Sequence, residues 1–479
     1  MERLAGQQPP FAWASRVASL AAQCLAVVGL CIFLGQLASR GAFGTELLGL
    51  LLLVAVALAI TIPPHVLIAL SLLVFGAYSV SANHFSFGGV QLYSTDALLA
   101  VLLLRGILPR DRIPSPGPLN GVARLLFGIF AVVMIIAGLR GFFSGYGLVS
   151  IIRLETPLIY GAGFYLAFSR IVRERSFNLD KAVRNLLVVA FGFIAYMAFA
   201  RLTGSTFETN QTVGRLGIVV TTGGVLRRDY GLSSAFIVYP VLALAGAAYL
   251  TYSPRRTALA AIVAVVGTFT TLLTLIRAEI FGLFVGLAVI ALLRSDPELK
   301  RAGRTRAVMA ASFALIIGAI GVWGVSPPTA RGVAERSLPG LVKQSEAADS
   351  TAKYRREALK AGFASVRRHP AGVGLIPEQE LAAASGVDPG YLAHSGVTTV
   401  LVYAGWFGLI AAALALVGLL SASFMVPRPV PWLHALFVGL VPMLVVYTLA
   451  VSGLMGQGWI VGIAALIAAL RFNAAGAVD

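Results

Sequence analysis

Charge is scarce in this sequence. Asp, Glu, Lys and Arg make up 12% of its 479 residues, against about 25% in soluble domains. That excludes an ordinary water-soluble enzyme, which needs more polar surface than this chain can supply. Cysteine is nearly absent: Cys24 and Cys31 are the two present. On one helix they would stand about 10 Å apart, too far to bridge, so they read as packing residues. There is no phosphate-binding P-loop, no His/Cys zinc cluster and no nucleophile elbow. Strand-period alternation is missing, which excludes a β-barrel. No internal repeat of the kind many transporters carry is visible.

What is present is apolar. Hydrophobic residues make up 58% of the chain and mean hydropathy is +0.87. The runs reach roughly 20 residues, the length of a membrane helix, and roughly 12–14 of them can be marked. Backbone groups in lipid must bond within their own segment. The expected fold is therefore all-α, a polytopic transmembrane helical bundle with one long extracytoplasmic loop that contains amphipathic helices. The opening, "MERLAGQQPPFAWASRVASL", is polar and carries Pro9 and Pro10. The run Leu20 to Leu37 after it is long enough to span, so an uncleaved helix is expected. Three regions follow: helices 1 to 11 over residues 1–325, the external loop over 326–395, and C-terminal helices over 396–479.

The net charge of +17 is first a matter of topology, and nucleic acid is not an expected partner. Short cytoplasmic loops collect Arg and Lys. One alternating set of loops holds Arg105, Arg110, Arg112 and Arg124; Arg170, Arg173, Arg175, Lys181 and Arg184; Arg255 and Arg256; Arg294, Lys300, Arg301, Arg304 and Arg306; and Arg428 and Arg471. That side is assigned as cytoplasmic, with both termini inside.

Topology leaves other basic residues unexplained. Outside the long loop they are Arg40, Arg140, Arg153, Arg201, Arg215, Arg227, Arg228 and Arg277, and all are arginine. The guanidinium is a planar fork suited to phosphate. Such residues near outer helix ends suggest a site for an anionic ligand at the outer leaflet. Arg277 lies deep in "TTLLTLIRAEIFGLFVG", where a charge costs at least about 2.5–3.5 kcal/mol and marks a function or a partner. Glu279 is the nearby structural partner. Arg227 and Arg228 close the polar stretch from Gly204 to Tyr230, which reads as a loop or a short strand pair.

In the long loop, "STAKYRREALKAGFASVRRHP" predicts a helix capped by Ser350 or Thr351 and stopped by Pro370. Tyr354, Ala358, Phe363 and Val366 share one face; Lys353, Arg356, Lys360 and Arg367 fall near the other. The turn "AGVGLIP" and a polar helix "EQELAAASG" come next. His394 then stands at the mouth of the following span. A lone histidine there is a helix-end residue or a general base, its ordinary pKa near 6.5 suiting proton transfer at neutral pH. Asp229, Glu279, Glu378 and Asp388 are alternative acids or bases. No external Asp-x-Asp pair is present to hold a metal, and no cofactor is expected. These features fit glycosyl transfer from a lipid diphosphate, with arginines stabilising the leaving group.

The run "YRREALKAGFASVRRHPAGVGL" followed by "AHSGVTTVLVYAGWFGLIAAALAL" resembles the O-antigen ligase and O-antigen polymerase superfamily. The family's Pro-x-x-Gly-x-Gly turn corresponds to Pro370, Gly372 and Gly374 at altered spacing. Its His-Asn pair corresponds to His394–Ser395, and its Gly-x-x-Gly step to Gly405 and Gly408. Its Ser-Arg element corresponds to Ile276–Arg277, and its Arg-x-x-Gly element to Arg228–Gly231. The resemblance covers roughly residues 225 to 425. It implies a metal-independent inverting glycosyltransferase of the bacterial cytoplasmic (inner) membrane. The implied partners are a polyprenyl-diphosphate-linked glycan donor, a glycan or lipid acceptor, and membrane lipids. By position, His394 is the implied base and Arg277 and Arg228 the implied diphosphate ligands. Arg227, Arg215 and Arg153 join them on the arginine argument alone. A transporter or flippase of an anionic lipid-linked glycan, a peptidoglycan glycan-strand polymerase and a non-enzymatic scaffold are the competing readings.

Overall fold

The computed structural model describes residues 57–76, 84–114, 121–203, 238–293, 346–388, 395–425, 430–450 and 458–473, apart from a few positions within them. The chain is predominantly helical. Its helices are α1 (Pro64–Gly76), α2 (Ser94–Ile107), α3 (Gly121–Phe143), α4 (Leu148–Leu154), α5 (Thr156–Ile171), α6 (Leu179–Thr203), α7 (Val238–Tyr252), α8 (Ala258–Leu273) and α9 (Arg277–Leu292), then α10 (Glu346–Arg368), α11 (Glu378–Ser385), α12 (Gly396–Met425), α13 (Pro431–Ala450) and α14 (Gly458–Asn473). A two-stranded antiparallel hairpin, β1 (His84–Phe87) and β2 (Val90–Tyr93), precedes α2. It departs from an all-α expectation. The aromatic runs either side of Gly88–Gly89 account for it, since a Gly pair suits a tight hairpin.

Most helices share one apolar core. Phe75 of α1, Phe164 and Phe168 of α5, Tyr239 of α7, and Phe437 and Phe472 of α13 and α14 are all buried in it. Small residues let helices approach closely. A Cβ on Gly286 of α9 would lie 3.0 Å from the Gly439 carbonyl of α13. Such small-residue contacts drive helix packing where the surroundings offer no hydrophobic force.

The polar contacts gather many helix ends at one end of the bundle. Arg105, at the end of α2, donates through Nε and Nη2 to both Glu174 oxygens at 2.7 Å, and through Nη1 to the carbonyls of Ala59 and Ile62. Both partners of this ion pair are almost fully buried. Arg255, after α7, pairs with Asp180 of α6. Tyr252 donates to carbonyls at the end of α9. Arg471 of α14 meets His434 of α13, and Asn473 donates to Ser169 of α5. Many basic residues assigned to one set of loops thus collect at a single end, called here the basic end. Arg105 and Arg471 differ from expectation: both are buried rather than solvated. Each is neutralised or hydrogen-bonded by a distant residue that loop statistics do not see.

A second, smaller core lies at the opposite end. Met134 and Ala137 of α3, Leu375 and Ile376 after α10, Leu381 of α11, and Val402 and Tyr403 of α12 are buried together. Helix α10 starts at Glu346, so Ser350 and Thr351 lie inside it and not at its N-terminus. The acidic, helix-forming stretch ahead of them suits a helix N-terminus and extends it. The expected stop before Pro370 holds, and α11 falls where the polar helix was expected.

Among the described residues, two helices, Arg124–Phe143 and Gly396–Ala422, are long and apolar enough to cross a membrane; shorter apolar helices accompany them. Their outward faces are apolar too, with Leu125, Val132, Ile136, Phe407, Ile410 and Val417 exposed. The N-terminal helices expected before residue 57, the passage from Gly204 to Tyr230 and the span over 306–325 lie outside the described residues.

Candidate functional site

The turn Pro370–Ile376 threads between α3 and α12, and the local sequence dictates how. Helix α12 is broken at Gly405, whose φ of 65° and ψ of −153° belong to a region that essentially only glycine occupies. The break frees carbonyls that the turn then uses. Val373 N–H donates to Val402 O at 2.9 Å and Gly374 N–H to Tyr403 O at 3.0 Å. Beyond the break, Trp406 N–H donates to Pro370 O at 3.0 Å. On the other flank Leu375 N–H donates to Ala137 O of α3 at 3.0 Å, and Arg140 donates to Ala371 O at 2.6 Å. A Cβ at Gly372 would stand 2.3 Å from Tyr403 O. The glycines are therefore points where backbones touch.

Helix α10 enters this arrangement and α11 leaves it. Phe363 of α10 packs its ring against Trp406 with centroids 5.8 Å apart. Arg368 donates from Nη2 to Ser385 O at 3.0 Å, a cation on the carbonyl end of α11. Its guanidinium lies where a Cβ on Gly386 would point, and Gly386 takes the left-handed cap conformation. The start of α12 is secured in the same way. Ser395 Oγ accepts the Thr398 N–H at 3.2 Å, and Thr398 Oγ1 donates to Ala358 O of α10 at 3.2 Å.

Carboxyl groups also collect at this end, and the sequence reading passed over two of them. Asp96 accepts from the Tyr160 hydroxyl, which also meets Thr95 Oγ1 at 3.2 Å. Glu155 sits at the junction of α4 and α5, outside the apolar stretch Leu158–Ile171. It occupies the N-cap position but makes no side-chain cap bond. Its buried Oε1 has no hydrogen-bond partner among the described residues and lies where a Cβ on Gly138 would come within 2.9 Å of it. Burial pushes this carboxyl up to about 7. The signal was present: a carboxylate two residues from Arg153, at the edge of an apolar run, is worth weighing as a functional group. Between α3 and α4, the Tyr146 phenol is pushed up by desolvation and then by the adjacent Glu380 carboxylate.

The structure places few of the residues expected from sequence. Arg277 is the first residue of α9 and Arg153 lies in α4; their side chains are outside the description. Arg215, Arg227, Arg228, Asp229 and His394 are outside the described residues altogether. Glu279, in the first turn of α9, is buried. Glu378 opens α11, and Asp388 is exposed after it. Arg140, grouped with the possible anion ligands, is engaged by the Ala371 carbonyl. Among the described residues no cluster of His, Cys, Asp and Glu suited to a metal ion occurs.

Residues 240–413 match the family model described as O-antigen ligase. The match runs from α7 through α10, α11 and the turn, and ends just past the break in α12. The resemblance to the O-antigen ligase superfamily holds over that stretch. With the exposed apolar helices, it makes this a membrane protein. The chain finds no match among curated proteins.

Proposed function

We propose that this protein transfers a glycan from a polyprenyl-diphosphate carrier to an acceptor hydroxyl at the outer face of the bacterial cytoplasmic membrane. The observation that carries the reading is the broken helix. Inside the O-antigen ligase match, the turn from α10 is bonded into α12 at Gly405, one short helical segment after His394. The bundle's opposite end is the basic end, which supports an external position for the turn and for residues 326–395, with both termini inside.

In the proposed reaction the acceptor oxygen attacks the anomeric carbon from the face opposite the diphosphate. His394 takes the hydroxyl proton. The bond from the anomeric carbon to the diphosphate oxygen breaks, and polyprenyl diphosphate leaves with the electron pair. Arg277 and Arg228, with Arg227, Arg215 and Arg153, hold that leaving group. Fixed positive charge aimed at the oxygens where charge develops is an effective form of catalysis, and guanidinium forks supply it without a metal. Glu279 and Asp388 stand as alternative bases or partners.

The test is purified protein in detergent with a polyprenyl-diphosphate oligosaccharide and a glycolipid acceptor. Wild type should transfer, and His394→Ala should lose about 10²–10⁴-fold in rate while still binding donor. Movement of the donor lipid across a liposome bilayer, with no transfer in any assay, would instead make the protein a transporter.

A further inference from the structure

We infer that helix α10 is a docking surface for anionic phospholipid headgroups, its outward basic stripe lying over the lipid boundary that begins at Trp406. The inference goes beyond the proposed reaction and does not need it; that reading supplies only the leaflet, the outer one. The boundary is set by α12. From Gly396 to Gly405 no residue of that helix is exposed. Directly after the break Trp406 is 41% exposed and Phe407 63%, and Ile410, Leu414 and Val417 continue the same apolar face. The helix keeps about 20 residues beyond the break, or about 30 Å, the thickness of a bilayer's hydrocarbon core. The other helix long enough to span ends at the same level, because Ala137 and Arg140 of α3 bond the turn that fills the break. Its last residues, Phe142 and Phe143, are exposed, with ring centroids 5.8 Å apart. Aromatic side chains gathered at one level of two spanning helices mark a membrane–water interface.

Helix α10 ends at that level, where the Pro370 carbonyl accepts the Trp406 N–H. One face of α10 packs on the bundle, with Ala358, Gly362, Ser365 and Val366 buried. The other presents Arg356, Lys360, Phe363 and Arg367, all exposed and all within about 60° of one another at 3.6 residues per turn. Phe363, expected on the inward face, thus stands in the basic stripe, and its ring packs against Trp406 with centroids 5.8 Å apart. A stripe facing open water has no use for a phenylalanine. At an interface the ring seats among acyl chains beside Trp406, while the long basic side chains extend to phosphates. None of the three basic side chains has an ion-pair partner among the described residues. Glu357, the one carboxylate between Arg356 and Pro370, is half-buried. The stripe therefore keeps positive charge for an anionic partner, and the lipid headgroup is the anion at that depth.

The experiment uses the full-length protein in phosphatidylcholine vesicles and reads Trp406 fluorescence, taken as wild type minus Trp406→Phe. Brominated phosphatidylglycerol and brominated phosphatidylcholine are each titrated in as quenchers. Bromines near the headgroup end of the acyl chain should quench more than bromines at its tip. Phosphatidylglycerol should reach half-quenching at a mole fraction about fivefold lower than phosphatidylcholine, the factor that one basic residue contributes at an anionic surface. That preference should vanish in the triple variant Arg356→Gln, Lys360→Gln, Arg367→Gln, and shrink for wild type in high salt. The wild-type salt series decides the matter alone should the triple variant fail to fold. Equal quenching by the two lipids, a preference that survives the substitutions, or strongest quenching from the chain tip overturns the inference. So does displacement of phosphatidylglycerol by trace polyprenyl diphosphate, which would make the stripe part of the donor site. Transfer activity is not read, so failure here leaves the proposed reaction standing, and failure of that reaction leaves this surface standing.

Discussion

Gly405 and Pro370 meet through their backbones. A Cβ built on Gly405 would lie 2.1 Å from the Pro370 carbonyl oxygen, closer than any real contact. Gly405→Ala therefore combines a clash with a backbone conformation denied to L residues, and should destabilise by more than about 2 kcal/mol. Gly192→Ala in α6 is the control. Nothing lies within 4 Å of its Cβ, so alanine there should be neutral or slightly stabilising. Thermal melts in detergent compare the two, and equal melting temperatures would remove the docked turn from the description.

The break shows what was and was not legible in the sequence. Pro370 announced the end of α10, the polar run after it announced α11, and "AGVGLIP" announced the turn between them. Each signal is local. The break in α12 is not: "VYAGWFGLI" reads as uninterrupted helix, and only the arrival of residues 370–375 makes a non-helical Gly405 favourable. The second core was illegible for the same reason, since it joins α3 to residues more than two hundred positions away.

Arg105 looked like a loop residue obeying charge topology, and it is the buried partner of Glu174. Removing one member of such a pair strands a buried charge. Arg105→Gln and Glu174→Gln should each cost about 3–5 kcal/mol. Exchanging the two residues should not restore stability. Arg105 also donates to the carbonyls of Ala59 and Ile62, and a glutamate in its place cannot donate. Folded yield and melting temperature of the two single variants and the exchange decide it.

Glu155 predicts a pH dependence of stability. Its folded-state pKa, about 7, stands above the ordinary glutamate value of 4.5. Below about pH 4.5 the carboxyl is protonated whether the chain is folded or not, and the group costs nothing. Between that value and about 7 the unfolded chain gives up its proton while the folded one keeps it, so stability falls as pH rises. Above about 7 the loss is complete. Glu155→Gln should flatten this part of the melting profile between pH 5 and 8 and should be more stable than wild type at pH 8. A wild-type profile that rises across the window, or an unaltered slope in the variant, would show Glu155 to be paired.

Orientation follows from the basic end. A reporter inserted after Arg256 should read cytoplasmic, and one near Ser385 should read external. A cytoplasmic signal at Ser385 would separate the turn and His394 from a donor in the outer leaflet and end the proposed reaction.

Arg277→Lys asks whether the leaving group is held by guanidinium forks. Lysine keeps the charge at the start of α9 but loses the planar, two-point contact that suits phosphate oxygens. Donor affinity and transfer rate should therefore fall together, the rate by roughly tenfold, because the diphosphate is bound in the ground state and carries still more charge in the transition state. His394→Ala should behave differently, sparing donor affinity, since the base acts on the acceptor. Chelation completes the comparison. If the arginines neutralise the diphosphate, wild-type transfer should be unchanged in EDTA. Loss of transfer in EDTA, with recovery on adding Mg²⁺ or Mn²⁺, would move the leaving-group charge onto a cation held by carboxylates. Asp96, Glu155 and Glu279 would then be the residues to substitute, since they lie buried or half-buried in or next to the described helices.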